Sequence, residues 1–210
     1  MQLQTLPRGY VLDPRRQKRQ FVDPQQVLQA VGLAEGMIFA DFGCGAGYYT
    51  IPAAEMVGEH GRVYAVDILK SSLQDIQGKA KIEGLRNIQY VWADLEISGS
   101  TKIPADSVDI VFLAHIINQS TAHPSILEEA RRIIKPDGLI VVVEWKKVKI
   151  PFGPPLEKRV PREEAVKVAQ TVGLRLAQEF SAGNYHYGLV FKKSQYETPA
   201  VPDGKKADPA

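Results

Sequence analysis

Cysteine is almost missing from this chain: Cys44 stands alone. No internal disulfide can form, and a thiolate cage for a metal ion, which needs several cysteines, is excluded. An excess of charge is missing too, since 26 Lys and Arg face 24 Asp and Glu for a net +2. Such a balance gives no reason to expect nucleic acid or a membrane surface as a partner. No apolar run reaches membrane-spanning length, and the opening MQLQTLPRGY lacks the apolar core of a signal peptide. A cytoplasmic address is the expectation that follows. No internal repeat is visible. The 210 residues are enough for one well-buried domain and short for two.

What is present is concentrated in Met37 to Thr50, reading MIFADFGCGAGYYT. A short apolar run ends on Asp41, glycines follow at 43, 45 and 47, and a helical segment opens at Tyr48. A strand feeding a glycine loop that opens a helix is a ligand cradle. Glycine bends sharply and lets a ligand approach where a Cβ would collide, and the helix start adds unpaired N–H groups.

Around this stretch the chain divides into an N-terminal arm (1–23), a folded domain (24–193) and a disordered tail (194–210). The arm is rich in proline and carries Arg15, Arg16, Lys18 and Arg19, which read as a solvated face or as a contact for an acidic partner. Asp23-Pro24 starts a first helix, with Asp as N-cap and Pro at the first helical position. Strands are expected at Met37–Asp41, Arg62–Asp67, Asn87–Trp92, Val108–Ala114 and Leu139–Trp145. Helices are expected at Tyr48–Val57, from Leu69 to Ala80, and from Pro124 to a firm stop at Lys135-Pro136-Asp137-Gly138. Alternation of strand and helix argues for a parallel sheet covered on both faces. The pattern then changes: a Pro- and Gly-rich segment over 146–160, a helix over Pro161–Val172, and two strands, Leu174–Phe180 and Tyr185–Lys192, joined by Ser-Ala-Gly-Asn. That last pair should be antiparallel.

In such a sheet ligands bind beyond the carboxyl ends of the strands, where strand order reverses. Asp41, Asp67 and Asp94 stand at the ends of the first three strands. An acid after strand two suits a ribose diol, which dinucleotide and adenosyl sites share. A dinucleotide fingerprint requires G-x-G-x-x-G, whereas here the loop is G-C-G-A-G and Tyr48 occupies the place of the last glycine. Asp41 also puts negative charge where a pyrophosphate would be repelled. The loop prefers a ligand that carries a cation beside an adenosine.

Asp41-Phe42-Gly43-Cys44-Gly45-Ala46-Gly47, Ala65-Val66-Asp67, Ala93-Asp94 and Lys135-Pro136-Asp137-Gly138 together resemble class I S-adenosylmethionine-dependent methyltransferases. The sequence is most similar to the small group that includes quinone-biosynthesis C-methyltransferases, from about Val27 to Lys192. The resemblance implies an α/β, three-layer Rossmann-like fold with strand order 3-2-1-4-5-7-6 and strand seven antiparallel. It implies S-adenosyl-L-methionine as cofactor and a small-molecule methyl acceptor. Asp41, Gly43, Cys44, Gly45 and Gly47 would hold the methionine part. Asp67 would take the ribose hydroxyls and Ile68 would pack on the adenine. Asp94, with the Ala93 and Leu95 backbone, would meet the adenine edge. Ala114 and His115 would line the floor beneath the sulfonium.

The implied reaction is direct displacement, which requires no particular side chain. A phenolic or acidic C–H acceptor would still profit from a base, for which His115 is the first candidate and Glu144 the second. Cys44 reads as a small loop filler, and no metal site is expected. His60 and His123 read as structural. The arm, the 115–123 segment and the 146–160 loop are left to cover a small, partly apolar acceptor. A nicotinamide-dependent oxidoreductase and a non-catalytic S-adenosylmethionine-binding protein are the alternatives.

Overall fold

The computed structural model describes residues 23–120 and 123–194. The expected arm up to residue 22, with its basic cluster, and the expected tail from residue 195 lie outside the described residues. In chain order the elements are α1 (Pro24–Ala30), β1 (Ile38–Phe42), α2 (Thr50–Val57), β2 (Arg62–Asp67), α3 (Lys70–Ile82) and β3 (Ile88–Trp92). They continue with β4 (Val108–Ala114), α4 (His123–Ile133), β5 (Ile134–Trp145), α5 (Arg162–Thr171), β6 (Leu174–Ser181) and β7 (His186–Lys193).

The seven strands form one sheet in the order β3-β2-β1-β4-β5-β7-β6. The pairs from β3 to β5 are parallel, and β7 runs antiparallel to both β5 and β6. This is the topology that the resemblance implied. Strand alternation divides the core in two. Phe39, Val63, Ile110, Phe112, Val141 and Val143 pack with α1 and α2, while Ala65 meets Leu73 and Ile76 of α3 on the same face. Ala40, Phe42, Val111, Leu113 and Val142 pack against α4 and α5 on the other. The central strand β4 is thus apolar at nearly every position because both its faces are covered.

Local chemistry accounts for the element starts. Asp23 caps α1, its side chain accepting from the Gln25 and Gln26 amides at 3.1 and 3.4 Å. α2 begins two residues later than expected because Gly47, at φ 82°, keeps the chain in the loop. Pro52 then falls in the first turn, where its missing N–H costs nothing. The Lys-Pro-Asp-Gly segment was expected to separate helix from strand. Instead, Ile134 already pairs with Val108, residues 135–138 loop out, and pairing resumes at Leu139 with Ile110. Lys135 anchors this bulge through Asp109, 2.7 Å away, whose other oxygen accepts the Ile38 amide at 2.8 Å. Among the described residues no helix is long and apolar enough to cross a membrane.

Candidate functional site

β1 and β4 are neighbours at the point where strand order reverses, and their carboxyl ends open onto a cavity of about 480 Å³. Asp41, Gly43, Cys44 and Gly45 form one wall, Ala114 and His115 the floor, and Trp145 and His186 the far end.

At the first wall, Asp41 is buried and accepts the Thr50 hydroxyl at 2.6 Å. Burial, helped by the nearby Asp67 charge and opposed by the Thr50 hydrogen bond, pushes its carboxyl up to about 7. A cation arriving beside it would favour the ionised form. Gly43, at φ 72°, lets Ile116 cross the loop, because a Cβ there would run into the Ile116 Cδ1 methyl. A Cβ at Gly45 would meet nothing within 4 Å, since this glycine faces open space. Its N–H donates to Asp67 Oδ2 at 2.9 Å, and the Leu69 N–H donates to Asp67 Oδ1 at 2.8 Å. Asp67 therefore ties the glycine loop to the end of β2. The Cys44 thiol lies 4.0 Å from the same carboxylate, and burial together with Asp41 and Asp67 pushes its pKa up. Such a thiol is not a nucleophile near neutral pH.

Ile68 is 57% exposed, and its carbonyl accepts the Trp92 indole N–H at 2.9 Å. Ala93 donates its amide to the Asp67 carbonyl, and Asp94 caps the following turn by accepting the Glu96 amide. The Leu95 side chain points into the α4 and α5 core. Asp67, Ile68, Ala93, Asp94 and Leu95 thus lie along the ends of β2 and β3, beyond the cavity lined by Asp41 and His115.

The two proposed bases part company. His115 lines the cavity in left-handed backbone, φ 59°, a conformation rare outside glycine and one that concentrates at functional sites. Its N–H is held by the Val143 carbonyl and its carbonyl by Gln119 Nε2. Burial lowers its pKa to about 4, so the imidazole is neutral near pH 7 and a weaker base than a solvated one. Glu144 occupies the opposite face of β5 from Trp145. It is fully buried and holds Asn118 through the backbone amide (3.2 Å) and Nδ2 (2.7 Å). Burial pushes its carboxyl up to about 7. It does not line the cavity, and its geometry is that of a clamp on the 116–119 segment.

Sequence reasoning passed over Trp145 and His186. They are directly opposed in the β5–β7 register, their rings 4.1 Å apart, and the His115 ring lies 4.8 Å from His186. The available signal was topological. In an antiparallel β5–β7 pair, the first residue of β7 lies beside the last of β5. Over them, the 146–159 loop winds around Arg159, whose guanidinium donates to the carbonyls of Pro154, Val148, Phe152 and Lys146. Among the described residues no cluster of three or more His, Cys, Asp or Glu could hold a metal ion.

Comparison with known proteins agrees with this geometry. A family model described as a methyltransferase domain matches residues 33–192. The demethylmenaquinone methyltransferase of Geobacillus stearothermophilus is 28% identical over 120 residues, 57% of this chain and 50% of that protein. The aklanonic acid methyltransferase of Streptomyces sp. (strain C5) is 33% identical over 97 residues, 44% of each chain. The chain thus spans about half the length of these curated relatives or less. The crystal structure of a SAM dependent methyltransferase from Aquifex aeolicus superposes with a TM-score of 0.76 at 31% identity. That match covers 85% of this chain and 93% of the other. The chain belongs to the class I S-adenosylmethionine-dependent methyltransferases.

Proposed function

We propose that the chain transfers a methyl group from S-adenosylmethionine to a small, partly apolar acceptor. The carrying observation is that a single cavity joins Asp41 and the glycine loop to His115 and an aromatic far end. The loop fits the cofactor, because Gly45 faces open space and the Asp41 carboxyl lines the cavity where an ammonium would meet it. Asp41 and the loop backbone would hold the methionine part, Asp67 the ribose, and Ile68 with the Ala93–Leu95 segment the adenine. When bound, the cofactor supplies a methyl carbon made electrophilic by its sulfonium.

The chain's own work is positioning, which can supply several kcal/mol by itself. His115, whose Nε2 has no protein partner and which lines the cavity, would take the acceptor's proton there. Gln119 and Val143 hold the His115 backbone in place for this. The quinone-type acceptors in the names of the relatives suggest a ring acceptor here as well. Near-neutral charge and one buried thiol support a cytoplasmic address without nucleic acid.

Transfer of an isotopically labelled methyl group to a panel of hydroxylated aromatic compounds, read by mass spectrometry, tests the proposal. His115→Gln should lower kcat by 10²- to 10⁴-fold and leave S-adenosylhomocysteine affinity unchanged. An unaltered kcat would remove His115 from this role.

A further inference from the structure

Among the described residues four buried side-chain polar atoms lack a hydrogen-bond partner, and three of them are imidazole nitrogens of one cluster: His115 Nε2, His186 Nδ1 and His186 Nε2. Buried polar groups are almost always paired. If His186 only filled space between Trp145 and His115, a phenylalanine would do so without an orphaned donor and acceptor. Both histidines line the cavity.

The charges around them are also one-sided. Lys146 Nζ rests on the Gly183 and Asn184 carbonyls, and Arg159, 3% exposed, donates to four carbonyls and lies over the Trp145 ring, 5.3 Å from its centroid. Neither makes an ion pair among the described residues. Burial, with the nearby charges of His115, Lys146 and Arg159, lowers the His186 pKa to about 3 and keeps its ring neutral. A positive field beside neutral imidazoles repels an ammonium and favours an oxygen that carries or develops negative charge. The walls Trp145 and Ala114, with the Tyr49 ring, favour a flat apolar body.

We propose that His186 and Trp145 form the acceptor subsite, with the Trp145 indole against a planar ring and His186 hydrogen-bonded to an ionisable hydroxyl on that ring. The assignment rests on the methyltransferase reading, since it names the acceptor end of that cavity. It adds a binding residue, His186.

The test uses the full chain saturated with S-adenosylhomocysteine, titrated with 2-naphthol and with 2-methoxynaphthalene, which has the same rings and no O–H. Wild type should bind 2-naphthol at least tenfold more tightly. His186→Phe should abolish that preference, and His186→Gln should retain most of it. Independently of any variant, the imidazole nitrogen signals of His186 should shift with 2-naphthol and not with the methyl ether. Equal affinity for both probes, or an undiminished preference in His186→Phe, overturns the inference. Should the phenylalanine variant not fold, the wild-type titration and nitrogen signals decide. Failure of S-adenosylhomocysteine itself to bind would overturn the proposed function instead.

Discussion

The two ends of the cavity are built on opposite principles. At the β1–β2 end every acid has a partner: Asp67 accepts two backbone amides and Asp41 the Thr50 hydroxyl. The groups there are local in sequence, a glycine loop and the strand ends beside it. At the β5–β7 end three ring nitrogens have no partner, and the cations rest on carbonyls. Its residues, His115, Trp145 and His186, come from three distant strand ends. The first end has its polar groups paired within the chain, whereas the second leaves ring nitrogens unpaired.

The largest expected effect that would break this division comes from Asp67→Ala. It strands the Gly45 and Leu69 amides and removes a charged acceptor, so S-adenosylhomocysteine affinity should fall by about 1.5–3 kcal/mol, roughly 10- to 150-fold. Calorimetry measures this directly. A loss of the same size in His186→Phe would mean that the two ends are not separable.

The pH dependence of stability separates two kinds of buried group, because the acids and the imidazoles have opposite signs. Asp41 and Glu144 have folded pKa values near 7, above their unfolded values. Their contributions are fully present below the unfolded carboxylate range and are lost as pH rises through about 7. His115 and His186 are lowered to about 4 and about 3. The folded state binds fewer of these protons, so their contributions are present above about 6.5 and lost as pH falls toward 4. Between about pH 4.5 and 6.5 the two effects oppose one another. Glu144→Gln removes one falling contribution, and its stability relative to wild type should improve by up to about 2 kcal/mol from pH 5 to 7. Urea denaturation at the two pH values checks the sign, and a relative decline would refute the buried-acid account.

Smaller effects should stay at one end. Gly153→Ala places a Cβ 2.8 Å from the Trp145 ring at φ 81°, which costs about 1–2 kcal/mol in backbone conformation alone. Thermal unfolding should register the loss while S-adenosylhomocysteine affinity holds. The smallest effect is at Cys44. Its buried, high-pKa thiol should resist iodoacetamide in the native protein at pH 8, and rapid alkylation would show that the loop opens.

The same division explains what could be read in advance. The parallel sheet was legible because its strands alternate with helices except between β3 and β4, and Ser-Ala-Gly-Asn marks the final hairpin, while the strand order came from the family resemblance. Asp41, Gly43 and Gly45 were legible because their spacing is local and only certain ligands tolerate it. Glu144 was read as a possible second base. Strand parity turns it toward Asn118 while Trp145 faces the cavity. His186 was illegible for the complementary reason. Nothing within ten residues marks it, and its meaning comes from the antiparallel register that sets it against Trp145. Local spacing encodes the cofactor end, and tertiary pairing encodes the acceptor end.

The central claim is that this cavity is a site for an adenosyl ligand bearing an aminoacyl group and not for a dinucleotide. Titrating the purified chain with S-adenosylhomocysteine and, separately, with NADH tests it most directly. Saturable binding of S-adenosylhomocysteine with none of NADH is the predicted result; at about 100 times its dissociation constant the ligand should add roughly 2.7 kcal/mol of stability. Binding of NADH with none of S-adenosylhomocysteine would contradict it.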